Sequence, residues 1–448
     1  MFKKRKWYKK LQKHYKNELH RIAIENIKTN KIVVYSDKYL KLNNLSQKNR
    51  ETFVYPLHEK KFMNLNKNLI MLCKILEKFI KYILINPKLK EELGFNSIDT
   101  SLELDNVLFD YIRCDGFYDD KKQEYKLIEI NSFSPSMYEN SDTILKFSNN
   151  SDLRPQISQL IAQSHFEISQ LLLKQTSPTV LLLVDATTGD EYLKVMNEVF
   201  RGQNLIIKTF ISRIDIAKHF HLMSGNLYYD ETLIDQIIIR CKHKMFRKNG
   251  TFLNDDVKQA YTNKTLSLIP SPKNLIIGKK SLFPLLHSIE IQKNINLSQT
   301  EISLLNKLIP ISIPLSEAIN CKDIIENKDK WVLKYSDRSS GKHIYLGSSY
   351  IKSEWIKLID IASKRESGII MQEKILPPHG NMIVHGKSHK INLPFSFEPF
   401  IVNLPLSVGY VIAGFSSRAY LGENHRSKVK FNPSSNNENI AFGTVEII

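Results

Sequence analysis

Lys126-Leu127-Ile128-Glu129-Ile130-Asn131 is the stretch that decides the fold: two isoleucines bracket a carboxylate, and a carboxamide follows it two positions later. Residues two apart on a strand point to the same face, so Glu129 and Asn131 are expected to project together. Mg²⁺ prefers oxygen ligands of this kind. Another acid, Asp110, ends the preceding apolar run, Val107-Leu108-Phe109. The pattern taken alone also fits a hairpin strand with a polar edge.

Composition indicates a large folded protein. The chain has 448 residues, of which 42% are hydrophobic, enough to bury a core in two or three domains. The most apolar segment, residues 69–85, is interrupted by charged residues at helical spacing, so it predicts an amphipathic helix and no membrane span. We expect a cytoplasmic protein, because the N-terminus lacks the apolar core of a signal peptide and the four cysteines are scattered.

The formal net charge of +18 raises the question of an anionic partner. Its densest part, residues 3–19, predicts a basic amphipathic helix that either contacts nucleic acid or an anionic membrane, or packs on the protein itself. Elsewhere the lysines are spread along the chain, and no nucleic-acid-binding module is recognisable. A nucleic-acid partner is therefore not favoured.

The first part of the chain divides into two predicted regions. Residues 1–100 form a basic, helical N-terminal region. Residues 101–175 contain a strand pair over 105–131, with turn chemistry at 115–120, and a helix over 155–175.

A different pattern begins at Thr179. Continuous apolar runs, which are typical of strands buried on both faces, alternate with helical segments over residues 176–270. This alternation predicts a parallel, Rossmann-like sheet with ligands at the carboxyl ends of its strands. Arg240 follows such an end, either as a contact for a substrate anion or as a solvated strand terminus.

Residues 271–448 predict a mixed region of helices and strands. Between two of its strands, the loop that follows Lys334 contains Arg338, hydroxyl side chains and Gly341, a composition that can fold over a triphosphate. It is not a Walker loop, because the G-x-x-x-x-G-K-S/T spacing is absent. The same composition also fits an ordinary hairpin loop.

The order of these parts resembles a known family. A lysine before a helix (Lys280), a lysine at a strand end before the flexible loop (Lys334) and a Gln-Glu hinge strand (Gln372-Glu373) match the nucleotide-binding half of ATP-grasp ligases. In the commoner arrangement of those enzymes the metal-binding Glu-x-Asn strand comes last, whereas here it comes first. The chain therefore resembles the circularly permuted ATP-grasp group that includes glutathionylspermidine synthetase. Four stretches carry the resemblance: 110–131, 131–139, 278–286 and 372–378.

This resemblance implies an α/β (α+β) fold, with the ATP-grasp domain in permuted order, a Rossmann-like pre-ATP-grasp domain at 176–270 and a helical N-terminal region. The metal-binding part is residues 101–175, and the nucleotide-binding part is residues 271–448. The implied reaction joins a carboxylate to an amine through an acyl phosphate, with ATP and Mg²⁺ as cofactors.

The resemblance also implies roles for individual residues. The metal ligands are Asp110, Glu129 and Asn131; the phosphate contacts are Lys280 and Lys334; the adenine contacts are Gln372 and Glu373; and the mobile loop supplies Arg338 and Gly341. Arg113 is expected to steady the acyl phosphate, or else to be a surface arginine on a strand.

Two departures limit the transfer. The metal hairpin has an insertion around residues 117–125, and residues 397–418 do not match the synthetase closely. The reaction class therefore transfers better than the substrates, which are expected to be a small carboxylate and an amine, such as an amino acid, a peptide or a polyamine. A non-catalytic ATP-grasp-like binding protein and a basic nucleic-acid-binding protein stay open as alternative functions. The oligomeric state also stays open, with a homodimer as one alternative.

Overall fold

The computed structural model describes most of the chain from residue 52 onward. The described residues are 52–95, 109–119, 122–135, 138, 141–142, 157–175, 177–185, 206–212, 219–240, 245–247, 251–336, 343–364, 368–384, 390–420 and 440–447. The basic helix expected over residues 3–19 lies outside them. Among the helices in these ranges, none has both the length and the apolarity that crossing a bilayer requires.

The described strands and helices alternate irregularly along the chain. The strands are β1 (Thr52–Leu57), β2 (Tyr111–Asp119), β3 (Glu124–Asn131), β4 (Thr179–Asp185), β5 (Ile206–Ser212), β6 (Phe220–Met223), β7 (Asn226–Tyr229), β8 (Thr232–Ile234), β9 (Gln236–Ile239), β10 (Ser267–Ile269), β11 (Ser312–Pro314), β12 (Trp331–Tyr335), β13 (Ile344–Leu346), β14 (Ile369–Glu373), β15 (His379–Val384), β16 (Lys390–Leu404), β17 (Gly409–Tyr420) and β18 (Ile440–Ile447). The helices are α1 (Glu59–Ile85), α2 (Pro87–Glu92), α3 (Ile157–Leu173), α4 (Asp255–Thr262), α5 (Asn274–Ile277), α6 (Leu282–Leu286), α7 (Ile289–Asn294), α8 (Gln299–Leu308), α9 (Leu315–Ala318), α10 (Lys322–Glu326) and α11 (Lys352–Ser363).

The largest sheet has seven strands in the order β15-β1-β18-β17-β16-β2-β3. Its neighbours are antiparallel except β1 and β18, which run parallel. β15 also pairs with the first part of β16, so five of the strands close on themselves while β2 and β3 extend from β16. β1 was not predicted, because residues 43–56 were expected to be a turn-rich break within a helical region.

Helices cover both faces of this sheet. The amphipathic helix predicted over residues 69–85 is confirmed as the C-terminal part of α1, and its stripe Leu69, Leu72, Leu76 and Phe79 is fully buried. This stripe belongs to the same apolar core as the strand residues Ile112, Cys114, Phe397 and Phe415. On the opposite face, a second core joins α3 to residues such as Tyr111, Phe400 and Val402. The polar side chains of the site share that second face.

The strand pair predicted over residues 105–131 is confirmed as β2 and β3, but the turn expected at residues 115–120 is wrong. β2 continues through Asp119, and the pairing register shifts between Asp115 and Gly116, leaving Ile128 of β3 as the extra residue of a β-bulge. Gly116 is required there, since a Cβ atom would lie 2.4 Å from the Lys126 carbonyl oxygen. The Asp-Gly pair therefore marks a bulge within the strand.

The parallel sheet predicted from Thr179 onward is confirmed. Its order is β10-β9-β4-β5, and all three neighbouring pairs are parallel. The antiparallel sheet β6-β7-β8, inserted between β5 and β9, was not predicted.

The third region is a small antiparallel sheet in the order β11-β14-β12-β13. Helices α9, α10 and α11 pack on it around Trp355, which is fully buried together with Leu333 and Met371. The strands expected in the mixed region at 271–448 include β12, β13 and β14. Lys334 and Gln372 lie on neighbouring strands of this sheet.

Candidate active site

The hairpin of β2 and β3 supplies one side of the site. Asp115 lies opposite Glu129, and Arg113 lies opposite Asn131. Since residues two apart on a strand share a face, these four side chains lie together on one face of the sheet. The Asn131 side chain hydrogen-bonds to the Asp115 carboxylate. The structure thus brings the Glu-x-Asn pair together with an Arg-x-Asp pair.

Lys280 approaches this hairpin from the short segment between α5 and α6. It lies just before α6, its side chain is 4% exposed, and its Nζ is 2.8 Å from Glu129 Oε1. The next residue, Ser281, donates its backbone N–H to Ser336 Oγ at 3.0 Å. Ser336 is the residue after β12, so this bond holds the end of β12 beside Lys280. Residues 337–342, which include Arg338 and Gly341, lie outside the described residues.

Lys334 approaches the same hairpin from β12. Its Nζ donates to the Ile128 carbonyl oxygen at 3.0 Å and to Gln372 Oε1 at 2.5 Å. The bulge explains the first bond, because the extra residue of a bulge lacks a normal ladder partner. Burial is the main cause that lowers the pKa of Lys334 to about 8; the charge of Lys280 adds to this shift, and that of Glu129 opposes it. An anion placed beside the Lys334 ammonium would favour its charged form and raise this pKa again.

The two hinge residues differ in their surroundings. Gln372 is buried, accepts from Lys334 and donates through Nε2 to Ser312 Oγ at 3.0 Å, so its side chain positions Lys334. Glu373 is half-buried at the end of β14, where its backbone N–H donates to the Ile311 carbonyl oxygen at 2.7 Å. Of the two hinge residues, Glu373 is therefore the one that lies at a partly open edge of the small sheet.

A buried network of charges adjoins Asp115. Arg113 binds it in a bidentate manner, with Nε at 2.7 Å from Oδ1 and Nη2 at 2.9 Å from Oδ2. Arg418, from β17, donates to Asp115 Oδ2 at 3.1 Å and to Glu398 of β16. Burial alone would raise the pKa of the Asp115 carboxyl, but the neighbouring charges of Arg113 and Arg418 outweigh it and hold this pKa below its ordinary value.

Asp110 has a different position from the other two predicted metal ligands. Its Oδ2 is 3.1 Å from His165 Nε2 of α3, and its Oδ1 accepts from Asn274 Nδ2 at 3.3 Å. The carboxylate that lies across from Glu129 is Asp115. Sequence reasoning missed Asp115 because it assigned this residue to a turn; the available signal was the spacing Arg113-x-Asp115, which repeats the alternation of Glu129-x-Asn131.

Arg240 lies where the carboxyl end of β9 meets the large sheet. Its Nη1 donates to the Tyr138 hydroxyl at 3.1 Å and to the Tyr111 hydroxyl at 3.3 Å. Ser134, close by, donates to the Ile239 carbonyl oxygen at 2.7 Å. Arg240 is therefore held by aromatic hydroxyls and is not merely a solvated strand terminus.

The donor types at the hairpin suit a hard cation. Asp115, Glu129 and Asn131 supply side-chain oxygens from two paired strands, and Mg²⁺ prefers oxygen ligands. In this arrangement Lys280 contacts Glu129, and two guanidinium groups contact Asp115. Within the described ranges, no three His, Cys, Asp or Glu side chains are close enough together to hold a metal ion. The residues fit the cation chemically, but their carboxylates are engaged in ion pairs.

Comparison with known proteins gives a likeness at the level of the fold. No family model and no curated protein matches the sequence. Among solved structures, the chain is similar to a glutathione synthetase-like effector (GSS30) from Globodera pallida in its apo form. The TM-score is 0.58 and the identity 11%, and the match covers 92% of this chain and 96% of that one. At this identity the likeness concerns the fold alone: the chain has an α+β fold similar to that of a glutathione synthetase-like protein.

Proposed function

We propose that this protein is an ATP-dependent carboxylate–amine ligase that forms an amide or peptide bond through an acyl phosphate and releases ADP and phosphate. The observation that carries the proposal is the convergence of two buried lysines on one strand. Lys280 comes from the segment between α5 and α6 and contacts Glu129. Lys334 comes from the small sheet and contacts the carbonyl oxygen of Ile128, the residue before Glu129. The glutathione synthetase-like fold supports an ATP-grasp-type ligase.

In the proposed reaction, the substrate carboxylate attacks the γ-phosphate of ATP, and the amine then displaces phosphate from the acyl phosphate. Lys280 and Lys334 hold phosphate oxygens by charge-assisted hydrogen bonds. Arg338 and Gly341 act from the loop at 337–342, and Glu373 lies nearest the adenine.

The proposed metal ligands are Glu129 and Asn131, with Asp115 in the place first expected for Asp110. A Mg²⁺ ion held there would neutralise charge on the phosphate oxygens. Arg113 and Arg418, which lie beside Asp115, would stabilise the negative charge that develops on the acyl phosphate. In this assignment Gln372 positions Lys334.

The proposed organisation has four parts. A helical region at 1–100 precedes the metal-binding part at 101–175, a Rossmann-like domain at 176–270 and the nucleotide-binding part at 271–448. The metal strand β3 precedes Lys280 and Lys334 in the chain, as the circularly permuted order requires. The proposed location is the cytoplasm, and the proposed substrates are a small carboxylic acid and an amine of the amino acid, peptide or polyamine type.

Nucleotide binding tests the phosphate contacts. We expect Lys280→Met to weaken ATP binding by roughly 10- to 100-fold, since a hydrogen bond to a charged group contributes about 1.5–3 kcal/mol. The matched control is Lys279→Met, which removes the neighbouring lysine, whose Nζ lies 4.8 Å from the Phe95 ring centroid. Titration calorimetry with Mg²⁺ present measures both variants. Equal ATP affinity in the wild type and Lys280→Met would exclude Lys280 as a phosphate contact.

Release of ADP distinguishes the ligase from a non-catalytic binding protein. A panel of carboxylic acids, each offered with amino acids and polyamines, should include a pair that releases ADP and phosphate in equal amounts. Binding of ATP without ADP release for every pair would favour the binding protein.

The basic nucleic-acid-binding alternative predicts RNA or DNA binding that falls steeply with salt, which filter binding at two salt concentrations measures.

A further inference from the structure

Glu398 is a completely buried carboxylate to which the proposed reaction assigns no role. It lies on β16, and its side chain is 0% exposed. Ser396 Oγ donates to Oε1 at 2.6 Å, Ser416 Oγ donates to Oε2 at 2.9 Å, and Arg418 Nε donates to Oε1 at 2.6 Å. These donors from two strands fix the carboxylate in one orientation.

The two arginines of the network lie between Glu398 and Asp115. Arg418 contacts both carboxylates at hydrogen-bond distance. Arg113 Nε is 2.7 Å from Asp115 Oδ1 and 3.7 Å from Glu398 Oε2, so it binds Asp115 and has Glu398 close by. Both guanidinium groups therefore have a second anion within reach that they can retain when Asp115 moves.

This arrangement matters because both oxygens of Asp115 are engaged. Oδ1 accepts from Arg113, and Oδ2 accepts from Arg113 and Arg418. A carboxylate held in this way becomes a cation ligand only if the guanidinium groups give up part of their contact with it. Glu398 is a second carboxylate near both guanidinium groups, so they keep an anionic neighbour when Asp115 turns away.

We propose that Glu398 is a positioning residue that takes over Arg113 and Arg418, so that Asp115 can turn to a divalent cation shared with Glu129 and Asn131. The inference rests on the proposed function and extends it to the exchange of ion pairs that accompanies cation binding. The exchange changes only which charged side chains are paired, and every charged side chain of the network keeps a partner. Glu398 acts through the two arginines and does not itself touch the cation.

The test is cation binding by Glu398→Gln, which keeps the size of the side chain and removes its charge. Titration with Mn²⁺ alone, followed by electron paramagnetic resonance, measures the cation site without nucleotide. We expect at least a 10-fold loss of Mn²⁺ affinity in Glu398→Gln. Binding of ATP in the absence of a divalent cation should be unchanged or stronger, because the variant site is more positive.

A matched control is Glu167→Gln, which neutralises a buried carboxylate of α3 that accepts from the Leu406 N–H at 2.9 Å and from Ser407 Oγ at 2.8 Å. It should bind Mn²⁺ as the wild type does. The double variant Glu398→Gln/Arg418→Gln removes one anion and one cation together. We expect it to recover most of the lost Mn²⁺ affinity, a rescue that a merely structural role of Glu398 would not produce.

The outcomes separate this inference from the proposed function. If Glu398→Gln folds and binds Mn²⁺ as tightly as the wild type, the inference is overturned and the ligase proposal is untouched. If wild type binds neither Mn²⁺ nor ATP, both are overturned. If Glu398→Gln does not fold, the double variant decides: wild-type Mn²⁺ affinity supports the exchange, and loss of binding overturns it.

Discussion

Lys334 gives a prediction about stability that needs no ligand. Burial lowers the pKa of this lysine from 10.5 to about 8. In the unfolded chain its pKa returns to the ordinary value, so between these two values the unfolded state binds more protons than the folded state. The free energy of unfolding therefore rises with pH in this window. The cost of the buried cation is fully present below pH 8 and disappears as the lysine loses its proton.

The size of the effect follows from the two pKa values. The complete change is about 3 kcal/mol, and about 2 kcal/mol of it falls between pH 7 and pH 9.5. Lys334→Met removes the titration. It also leaves Gln372 and the Ile128 carbonyl without this donor, which adds an offset that does not depend on pH. The stability of wild type minus that of the variant should therefore increase by about 2 kcal/mol over this range.

Urea unfolding of both proteins at several pH values measures this difference. Taking the difference is necessary because other buried groups titrate in the opposite sense: burial raises the pKa of Cys114 and of Tyr125, so their titration lowers stability at high pH. These contributions are common to both proteins and cancel. A difference that stays constant from pH 7 to pH 9.5 would refute the idea that Lys334 is a buried cation beside Lys280.

Three further predictions concern packing and local structure, each measured by urea unfolding. Gly116→Ala should destabilise the protein by about 1–3 kcal/mol, because the new Cβ would meet the Lys126 carbonyl, whereas Gly225→Ala, which meets nothing within 4 Å, should cost about 1–2 kcal/mol for its left-handed backbone alone. Trp355→Ala should cost about 3–5 kcal/mol because it empties the centre of the third core, and a cost below 1 kcal/mol would contradict that packing. Ser298→Ala should cost about 1 kcal/mol through loss of the capping box of α8, and an unchanged stability would show that this cap contributes nothing.

The sequence predicted those elements whose signals are local. The helical spacing of residues 69–85, the apolar runs from Thr179 onward and the strand containing Glu129 and Asn131 each depend on neighbouring residues, and the structure contains all of them. Lys280 and Lys334 were identified by their order in the chain, and the structure brings both to β3.

The errors arose where partners are distant in the chain. An Asp-Gly pair is a strong hairpin signal, so Asp115-Gly116 predicted a turn; only the pairing with β3 shows that the strand continues through a bulge. Asp115 was not considered as a site residue for the same reason, because a turn residue would not share a strand face with Glu129 and Asn131. Arg418, which also binds Glu398, reaches Asp115 from a strand far along the chain, and no local pattern indicates that contact.

The position of β1 in the large sheet has a consequence for synthesis. β1 is the first described strand, and it pairs with β15 and β18, the second of which begins only at Ile440. A ribosome adding about 5–20 residues per second reaches that strand on the order of a minute after β1 emerges. Until then the edge of β1 that pairs with β18 has no partner strand, and an unpaired strand edge is a known risk for aggregation. Production of this protein should therefore depend on chaperones that shield nascent chains, even though its finished sheet pairs β1 on both sides.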